Sequence, residues 1–531
     1  MDGTKRYLDE MTGHGPFRVR EEGKRPNILL ISADMVPVEF YLPGAAGMNT
    51  PNLQALRDRH LYFANAYCTS PLCAPSRAAY LSGRHSYITT NSERAHDGHE
   101  VHLRDDDVLF PEYLKAVGYH ARHVGKSHVG THKFTDIFSE NDAPWNRWSP
   151  PWFDDDAYVR FLQEKGLGRI SFEREIIGRG LTGEGKGNSY GGWVAEQGGK
   201  GFPKEATYPA FLVERTIEAF EARSDEGQPF YMQLDFFGPH QPFAIPAGME
   251  EREREIRAEM ELPESYRELA ENGFAPPGVE SRVYQIYRKN WGLQDPETVV
   301  DYRVANQLQF ELIDEMIGRL FAYLKEQGLY EEIWIFFIAD HGEMNGERGL
   351  VDKGAYLNPR VIRVPLMVKP AEGSEWADVR KSVEQPVSLL DLAPTMLDIA
   401  GISTEARLDG VSLLEAARGE KRPEEQPIFF EVWSHVIPNP CIGTVFTAAD
   451  GRDYMFSFNA TDEVDELYAL GDEGRLVNLW DDKESVTILD EAVARLHARL
   501  ARDERWKSYR GFLELTYPEK LAASGDRQLF F

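Results

Sequence analysis

The chain has little cysteine, no long apolar run and no excess of positive charge. Among its 531 residues only three are cysteine: Cys68, Cys73 and Cys441. So few cannot build a disulfide framework, and a reducing, cytoplasmic compartment is expected. No stretch approaches the roughly 20 apolar residues that a membrane-spanning helix needs. Met1 to Lys24 is charged and has no apolar core, so neither a secretory leader nor a membrane partner is expected. Lysine and arginine number 59 against 87 acids, a formal net charge of −28. Such a chain offers no basic surface to neutralise phosphates, which argues against a nucleic-acid partner. An anionic ligand must therefore be drawn by a local cationic site or a metal ion, because the global field repels it.

What is present is the composition of an ordinary globular enzyme, 42% hydrophobic and 27% charged. The length exceeds one small core, so a large domain with a smaller companion is expected. Pro26 to Asp34 is a short apolar run ending in an acid, and reads as a strand buried on both faces. Thr50-Pro51-Asn52 opens a helix to about Arg59, with threonine as N-cap and proline in the first turn. Asp107 to Val117 is an amphipathic helix stopped by Gly118, and Tyr119 to Val124 a strand. Pro229 to Phe237 and Ile333 to Asp340 are further strands. Between them Val304, Leu308, Leu312, Met316 and Leu320 recur at helical spacing, and Gly328 ends that helix. Strands alternating with helices predict an α/β fold, a mostly parallel central sheet sandwiched by helices. No internal repeat is visible.

Two stretches read as insertions. Residues 141–205 hold Trp145, Trp148, Trp152 and Trp193 among glycines and prolines, and residues 247–297 are rich in Glu and Arg. Both suit surface elaboration, and the first also suits a wall of a ligand pocket. Pro427 to Val432 is expected to be a last strand of the main sheet. Beyond it, short strands and a charged helix near 487–503 predict a smaller C-terminal α+β subdomain from about 426.

Polar clusters fall where these strands end, the place where open α/β sheets gather ligands. Asp34 ends the first strand, and Gly125-Lys126-Ser127-His128-Val129-Gly130 follows another. Gly238-Pro239-His240-Gln241-Pro242 follows the third, and Asp340-His341-Gly342-Glu343 the fourth, with Lys353 just beyond. Taken singly, each has a plain structural reading. Asp34 suits a turn cap, Lys126 and Lys353 solvated surface groups, and His128 and His240 hydrogen-bonded packing. Likewise Cys73 alone suits an inert buried thiol, or a disulfide with Cys68. A separate structural reading must explain every cluster in turn, all at strand ends.

The run Cys73-Ala74-Pro75-Ser76-Arg77, followed by Leu81-Ser82-Gly83-Arg84, resembles the signature C-x-P-S-R, x-x-x-L-[ST]-G-R of the formylglycine-dependent sulfatases. The later clusters resemble that family's G-K-x-H-x-G, P-H-x-P and D-H-G blocks in the same order. Asp391 to Thr395, Leu467 to Leu470 and Asn478-Leu479 resemble its D-x-x-P-T, L-Y-x-L and N-L elements. The resemblance spans roughly residues 25–480. It implies a type I sulfatase of the alkaline-phosphatase-like superfamily, with a catalytic domain over 25–425 and a C-terminal subdomain and tail over 426–531.

In that family the cysteine is oxidised by a formylglycine-generating maturation enzyme to an aldehyde, whose hydrate carries two hydroxyls on one carbon. One attacks the sulfur of a sulfate monoester. The other is deprotonated, the carbonyl reforms and sulfate is expelled. A thiolate could attack but has no such internal route to release. The resemblance implies that Asp34, Asp340, His341 and the modified Cys73 hold one divalent cation. Arg77 would hold the diol, and Lys126 and Lys353 would clamp sulfate oxygens. His128 would deprotonate the second hydroxyl, and His240 with Lys353 would protonate the leaving alcohol.

Two positions depart from the commonest pattern. Met35 stands where many sulfatases have a second aspartate, and His341 where they have asparagine. This variant resembles the choline sulfatase and phosphonate monoester hydrolase branch. The family implies Ca2+, but a mixed oxygen and nitrogen shell suits Mn2+ or Mg2+ as well. A phosphonate monoester or phosphodiester hydrolase on the same site is the rival reading, and a binding protein with unmodified Cys73 a third. The sequence leaves open the alcohol, which could be choline-like, a sugar or an aryl group, and leaves homo-oligomerisation open too.

Overall fold

The computed structural model describes residues 17–19, 25–45, 47–89, 103, 107–129, 132–138, 140–145, 147, 150–178, 187–223, 227–379, 381–423, 426–471 and 476–517. Most of Met1 to Lys24, Gly130 and Trp148 lie outside them. Among the described residues no helix is long and apolar enough to cross a membrane, and the three cysteines are free and buried.

The apolar run after Pro26 forms β1 (Asn27–Asp34), buried at every position. It is one of eight strands in the central sheet: β2 (Leu61–Phe63), β3 (His120–Lys126), β4 (Glu140–Trp145), β5 (Phe230–Pro239), β6 (Ile333–Ala339), β7 (Leu366–Lys369) and β8 (Lys381–Val383) complete it. The order is β8-β2-β7-β6-β1-β5-β3-β4. β6, β1, β5, β3 and β4 are mutually parallel. β7 runs against β6 and β2, and β8 runs parallel to β2. β1 lies at the centre, with Ile28 level with Trp334 on one side and Tyr231 on the other. Each fully buried Leu, Ile or Phe in such a layer contributes about 1.5–3 kcal/mol. Because the middle strands are parallel, their carboxyl ends open on one edge, and every polar cluster lies there.

Three helices matter for the site. α1 (Pro51–Arg59) begins at Thr50 as expected, yet the threonine side chain makes no capping bond. Asp314 caps it from another element, accepting from the Asn52 and Leu53 backbone nitrogens at 3.2 and 2.7 Å. α2 (Cys73–Ser82) starts at the key cysteine and stops at Gly83. The latter takes φ 67°, and a Cβ there would meet Ala393 and Leu408 at 3.0 Å. α3 (Pro296–Glu326) is a 31-residue helix whose first turn is capped by Asp295. Its expected stripe from Val304 to Leu320 is buried.

Two expectations need correction. Pro427 to Val432 does not join the main sheet. It leads into β9 (Phe429–His435), the first strand of an antiparallel sheet with β10 (Ile437–Thr447), β11 (Asp453–Asn459) and β12 (Glu466–Ala469). A tight turn at Val436 sets His435 opposite Ile437, so the nearest partner in the chain captures the strand. α4 (Val486–Ala501) and α5 (Lys507–Thr516) pack on this sheet, around Phe429, Phe456, Val493, Leu496 and Trp506. Secondly, the start of the 141–205 stretch is no insertion, since Glu140–Trp145 is the edge strand β4. Further on, Asn188–Val194 pairs with Phe172–Gly178 and Phe243–Ile245 in a small sheet. The 247–297 stretch holds three helices, Glu250–Glu259, Glu264–Glu271 and Arg282–Trp291.

Glu431 of β9 joins the C-terminal unit to the central one. Ser86 Oγ donates to it at 2.6 Å and the Tyr87 nitrogen at 3.2 Å. Burial pushes its carboxyl up to about 7, against the pull of those two bonds. A carboxyl raised on folding makes stability fall as pH rises from about 4.5 to 7, since the folded state then holds the extra proton. Glu431→Gln keeps the acceptor and loses the charge. We expect the variant to be more stable than the parent at pH 8, by up to about 3 kcal/mol, and alike at pH 4.5. Thermal unfolding at both pH values measures this, and equal midpoints at pH 8 would refute it.

Candidate active site

The site is built where β1, β3, β5 and β6 end. Asp34, at the tip of β1, and Asp340, just past β6, sit side by side because their strands are paired in register. Both are fully buried. The first turn of α2 brings Cys73 onto them. Its Sγ lies 3.6 Å from Asp34 Oδ1 and 3.2 Å from His341 Nε2. Single donor atoms of Asp34, Cys73, Asp340 and His341 all fall within 4.8 Å of one another. Two hard oxygens, one imidazole nitrogen and the position-73 side chain make a set able to hold a divalent cation. The His341 ring is oriented by Nδ1, which faces the Gly342 carbonyl at 2.9 Å and leaves Nε2 for the cluster.

Cations surround these acids. Arg77, one turn along α2 and fully buried, sets Nε on Asp340 Oδ2 at 2.8 Å and Nη1 on the Lys126 carbonyl at 2.6 Å. It also lies 3.6 Å from Asp34 and 3.7 Å from Asp235. Lys126 bonds Asp34 Oδ2 and stands 3.7 Å from the Cys73 sulfur. It is aimed by an irregularity in β3 at Gly125, where φ is 101° and a Cβ would lie 2.0 Å from the Asp235 carbonyl. Only glycine fits that approach.

The electrostatics follow. Burial pushes the Cys73 thiol up, but the charges of Lys126, Lys353 and His341 outweigh it, and the group lies well below an ordinary thiol. Burial and the Cys73 charge raise Asp34, yet Lys126 and Arg77 bring it below the usual carboxylate value. Asp340 is raised by burial and by Asp34. Burial disfavours charge on His341, while Asp340 and Cys73 favour it more and push it up to about 9. The imidazole of His128 bonds the Cys73 sulfur, and burial lowers its basicity, keeping it neutral near pH 7.

His240 and Lys353 form a second pair beside the first cluster. Lys353 Nζ meets His240 Nε2 at 2.6 Å and Asp352 Oδ1 at 3.0 Å. The other ring nitrogen, Nδ1, faces the Gln241 carbonyl. A carbonyl only accepts, so Nδ1 carries a proton, and Nε2 accepts from the lysine ammonium. Burial opposes the charge on Lys353, but Asp352 and Cys73 raise its pKa above the usual lysine value. The pair opens on a cavity of about 600 Å³ lined by Tyr190, Tyr287, Trp291, Gln241, Asp352 and His435, among others.

Asp34, Cys73, Arg77, Lys126, His128, Asp340 and His341 thus converge on one point, with His240 and Lys353 beside it. Met35 takes part through its backbone: its nitrogen donates to Asp340 Oδ1 at 3.1 Å, and its φ is 62°. Of the tryptophans expected to wall a pocket, the described ones, Trp145, Trp152 and Trp193, do not line it. Trp152 packs edge-on against Phe237, and Trp193 lies under Arg174. Their segment gives Pro150 and Asn188 to Tyr190, and the other stretch gives Tyr287 and Trp291.

Sequence reasoning missed Asp235 and its partners. It accepts from Ser32 Oγ at 2.5 Å and Gln233 Nε2 at 2.7 Å, and meets His123 Nε2 at 3.0 Å. The legible signal was an acid inside the buried run Phe230 to Phe237.

The chain is similar to known proteins. The sulfatase family model matches residues 26–402, and a model of the N-sulphoglucosamine sulphohydrolase C-terminal region matches residues 346–504. A choline-sulfatase of Rhizobium meliloti (strain 1021) is 28% identical over 427 residues, 77% of this chain and 74% of that protein. An uncharacterised sulfatase of Escherichia coli (strain K12) is 26% identical over 396 residues, 74% of this chain and 71% of that one. In fold, a phosphonate monoester hydrolase from Silicibacter pomeroyi superposes with a TM-score of 0.66 at 21% identity, covering 90% of this chain and 95% of that one. With most of its length inside the family model, the chain belongs to the sulfatase family, in the alkaline-phosphatase-like superfamily, and is a sulfuric ester hydrolase.

Proposed function

We propose that this sulfatase hydrolyses a sulfate monoester with a Cα-formylglycine made from Cys73 and one divalent cation. The observation that carries the reading is the position of Cys73, buried among Asp34, Asp340 and His341 and faced by Lys126. The donor set fits a cation: burying two adjacent carboxylates is costly unless positive charge meets them. Asp34, Asp340 and His341 would hold it, with an oxygen of the modified Cys73. When present, the hydrated aldehyde supplies the nucleophile and the second hydroxyl for release, and the cation polarises the ester oxygens.

The chain's own groups do the rest. Lys126 Nζ grips a sulfate oxygen where negative charge grows. Arg77 holds Asp340 in place and offsets the local acids. His128, neutral at pH 7, takes the proton of the second hydroxyl. The proton shared by Lys353 Nζ and His240 Nε2 goes to the leaving oxygen. The alcohol occupies the cavity, against the faces of Tyr190, Tyr287 and Trp291.

Because Cys73 is fully buried, its conversion by a formylglycine-generating enzyme belongs before folding. Scarce cysteine supports a cytoplasmic location. The mixed oxygen and nitrogen donors suit Mn2+ or Mg2+ as well as the family's Ca2+. Rates on aryl sulfate against aryl phosphonate monoester decide between this reading and its phosphonate or phosphodiester rival.

We expect the Cys73 peptide to be about 18 mass units light, the signature of a thiol replaced by an aldehyde. Cys73→Ala and Cys73→Ser should both lose turnover and keep the fold, since serine lacks the second hydroxyl. Wild-type turnover by Cys73→Ala would end the formylglycine mechanism. Metal content and activity should fall together in Asp34→Ala, Asp340→Ala and His341→Ala, and on reversible chelation. Full occupancy in all three variants, by elemental analysis, would disprove the proposed shell. His240→Ala should slow an alkyl sulfate far more than a nitrophenyl sulfate, by a gap within the roughly 10²–10⁴ typical of general acid catalysis. Lys126→Ala should slow both alike. Equal losses on the two esters in His240→Ala would remove that histidine from proton delivery.

A further inference from the structure

The Lys353–His240 pair does not hold itself in place. Lys353 depends on Asp352, which has φ 68°, a left-handed conformation that a side-chain-bearing residue keeps only when its surroundings enforce it. The enforcing bonds are specific. The Asp352 nitrogen donates to Glu343 Oε1 at 2.5 Å, and Oδ1 accepts from the Lys353 nitrogen at 2.8 Å. Oδ2 accepts from Gln241 Nε2 at 2.8 Å. The other end of that amide, Oε1, accepts from the Tyr302 hydroxyl of α3 at 3.2 Å. Tyr302 is fully buried and Gln241 nearly so.

Proton inventory fixes how this chain runs. The Lys353 ammonium keeps Asp352 ionised, so its oxygens only accept. The amide nitrogen of Gln241 must therefore face Asp352, and its oxygen must face a donor. The donor within reach is the Tyr302 hydroxyl, which stands 3.2 Å from this oxygen and equally 3.2 Å from Glu343 Oε1. A flipped amide would set two oxygens against each other at Asp352.

Gln241 acts on both members of the pair at once. Its side chain holds Asp352, and through Asp352 the ammonium of Lys353. Its backbone carbonyl takes Nδ1–H of the adjacent His240 ring. Gln241 thus adds a second tie between the loop after β5 and the loop after β6, beside the His240–Lys353 contact, with α3 behind it.

We propose that Gln241, anchored by Tyr302, is a positioning residue for proton delivery to the leaving oxygen, a role that rests on the sulfate-ester reading above. As the sulfur–oxygen bond breaks, the Lys353 Nζ proton passes to the ester oxygen and the alcohol departs. Water in the open cavity returns a proton to the amine. A lysine displaced by about an ångström loses that transfer and keeps its distant charge, so the loss falls on poor leaving groups.

The test measures kcat/KM for an alkyl sulfate and 4-nitrophenyl sulfate in metal-loaded, converted enzyme. Gln241→Met keeps volume and backbone carbonyl but removes the amide. It should slow the alkyl ester about 10- to 100-fold and the nitrophenyl ester less than about 3-fold. Tyr302→Phe should show the same selectivity, more weakly. Gln241→Glu should slow the alkyl ester at least as much as Gln241→Met at pH 7, through repulsion of Asp352, and recover in part as pH falls. Equal losses on both esters, or none on the alkyl ester, would overturn the proposal, with Tyr302→Phe deciding if Gln241→Met fails to fold. A wild type inactive on both sulfates overturns the sulfate-ester reading instead. Alkyl and nitrophenyl phosphonate esters then carry the same comparison, and inactivity on these as well would overturn both.

Discussion

Three buried carboxylates on three adjacent parallel strands, two at strand ends and one within its strand, are the constraint on which the site depends. Asp34, Asp235 and Asp340 belong to β1, β5 and the residue after β6, and none touches solvent. Removing one partner from such a buried set costs about 3–5 kcal/mol. The answer is Arg77, which lies within 3.7 Å of all three, and Lys126, which bonds Asp34. Arg77 ties α2 to the sheet, so the same ion pairs that neutralise the acids also deliver Cys73. The tight approach at Gly125 and the backbone bond from Met35 serve the same arrangement. Met35 keeps a place in the site with no ligand atom of its own, because its amide holds Asp340.

Chemistry and specificity are supplied by different parts of the molecule. The cysteine, the acids and the clamping lysine come from the central sheet and α2. The cavity beside them comes mostly from elsewhere: Asn188 to Tyr190 from the small sheet, Tyr287 and Trp291 from the helix Arg282–Trp291, and His435 with Val436 from the C-terminal hairpin. Asp352 is already engaged by Lys353 and Gln241, so aromatic faces dominate what an alcohol would meet. This division lets the alcohol side vary while the buried charge cluster stays fixed.

Some of this was legible from residue order alone. A short apolar run ending in Asp34 read as a central strand, further strands were read at β3, β5 and β6, and helical spacing located α3. The motif around Cys73 and the clusters at strand ends named every side chain that converges on the cysteine except Asp235. Asp235 was missed because it sits inside a strand, where an acid carries no motif and its meaning comes from Ser32, His123 and Arg77 across other elements. The Thr50 cap was misread for a similar reason: the bonding group is Asp314, some 260 residues away.

Local patterns therefore marked β1, β3, β5, β6, the main helices and the side chains that meet at Cys73, because periodicity and motif spacing are properties of neighbours in the chain. Only the tertiary structure decided the rest. It sent Phe429–His435 to a hairpin and not to the main sheet, and turned Trp145, Trp152 and Trp193 into core and not pocket wall. It also bound Gln241 to Asp352 and Tyr302. Those outcomes depend on which distant polar atoms and apolar faces meet once the chain is packed, and a buried donor or acceptor must be matched wherever its partner lies in the sequence.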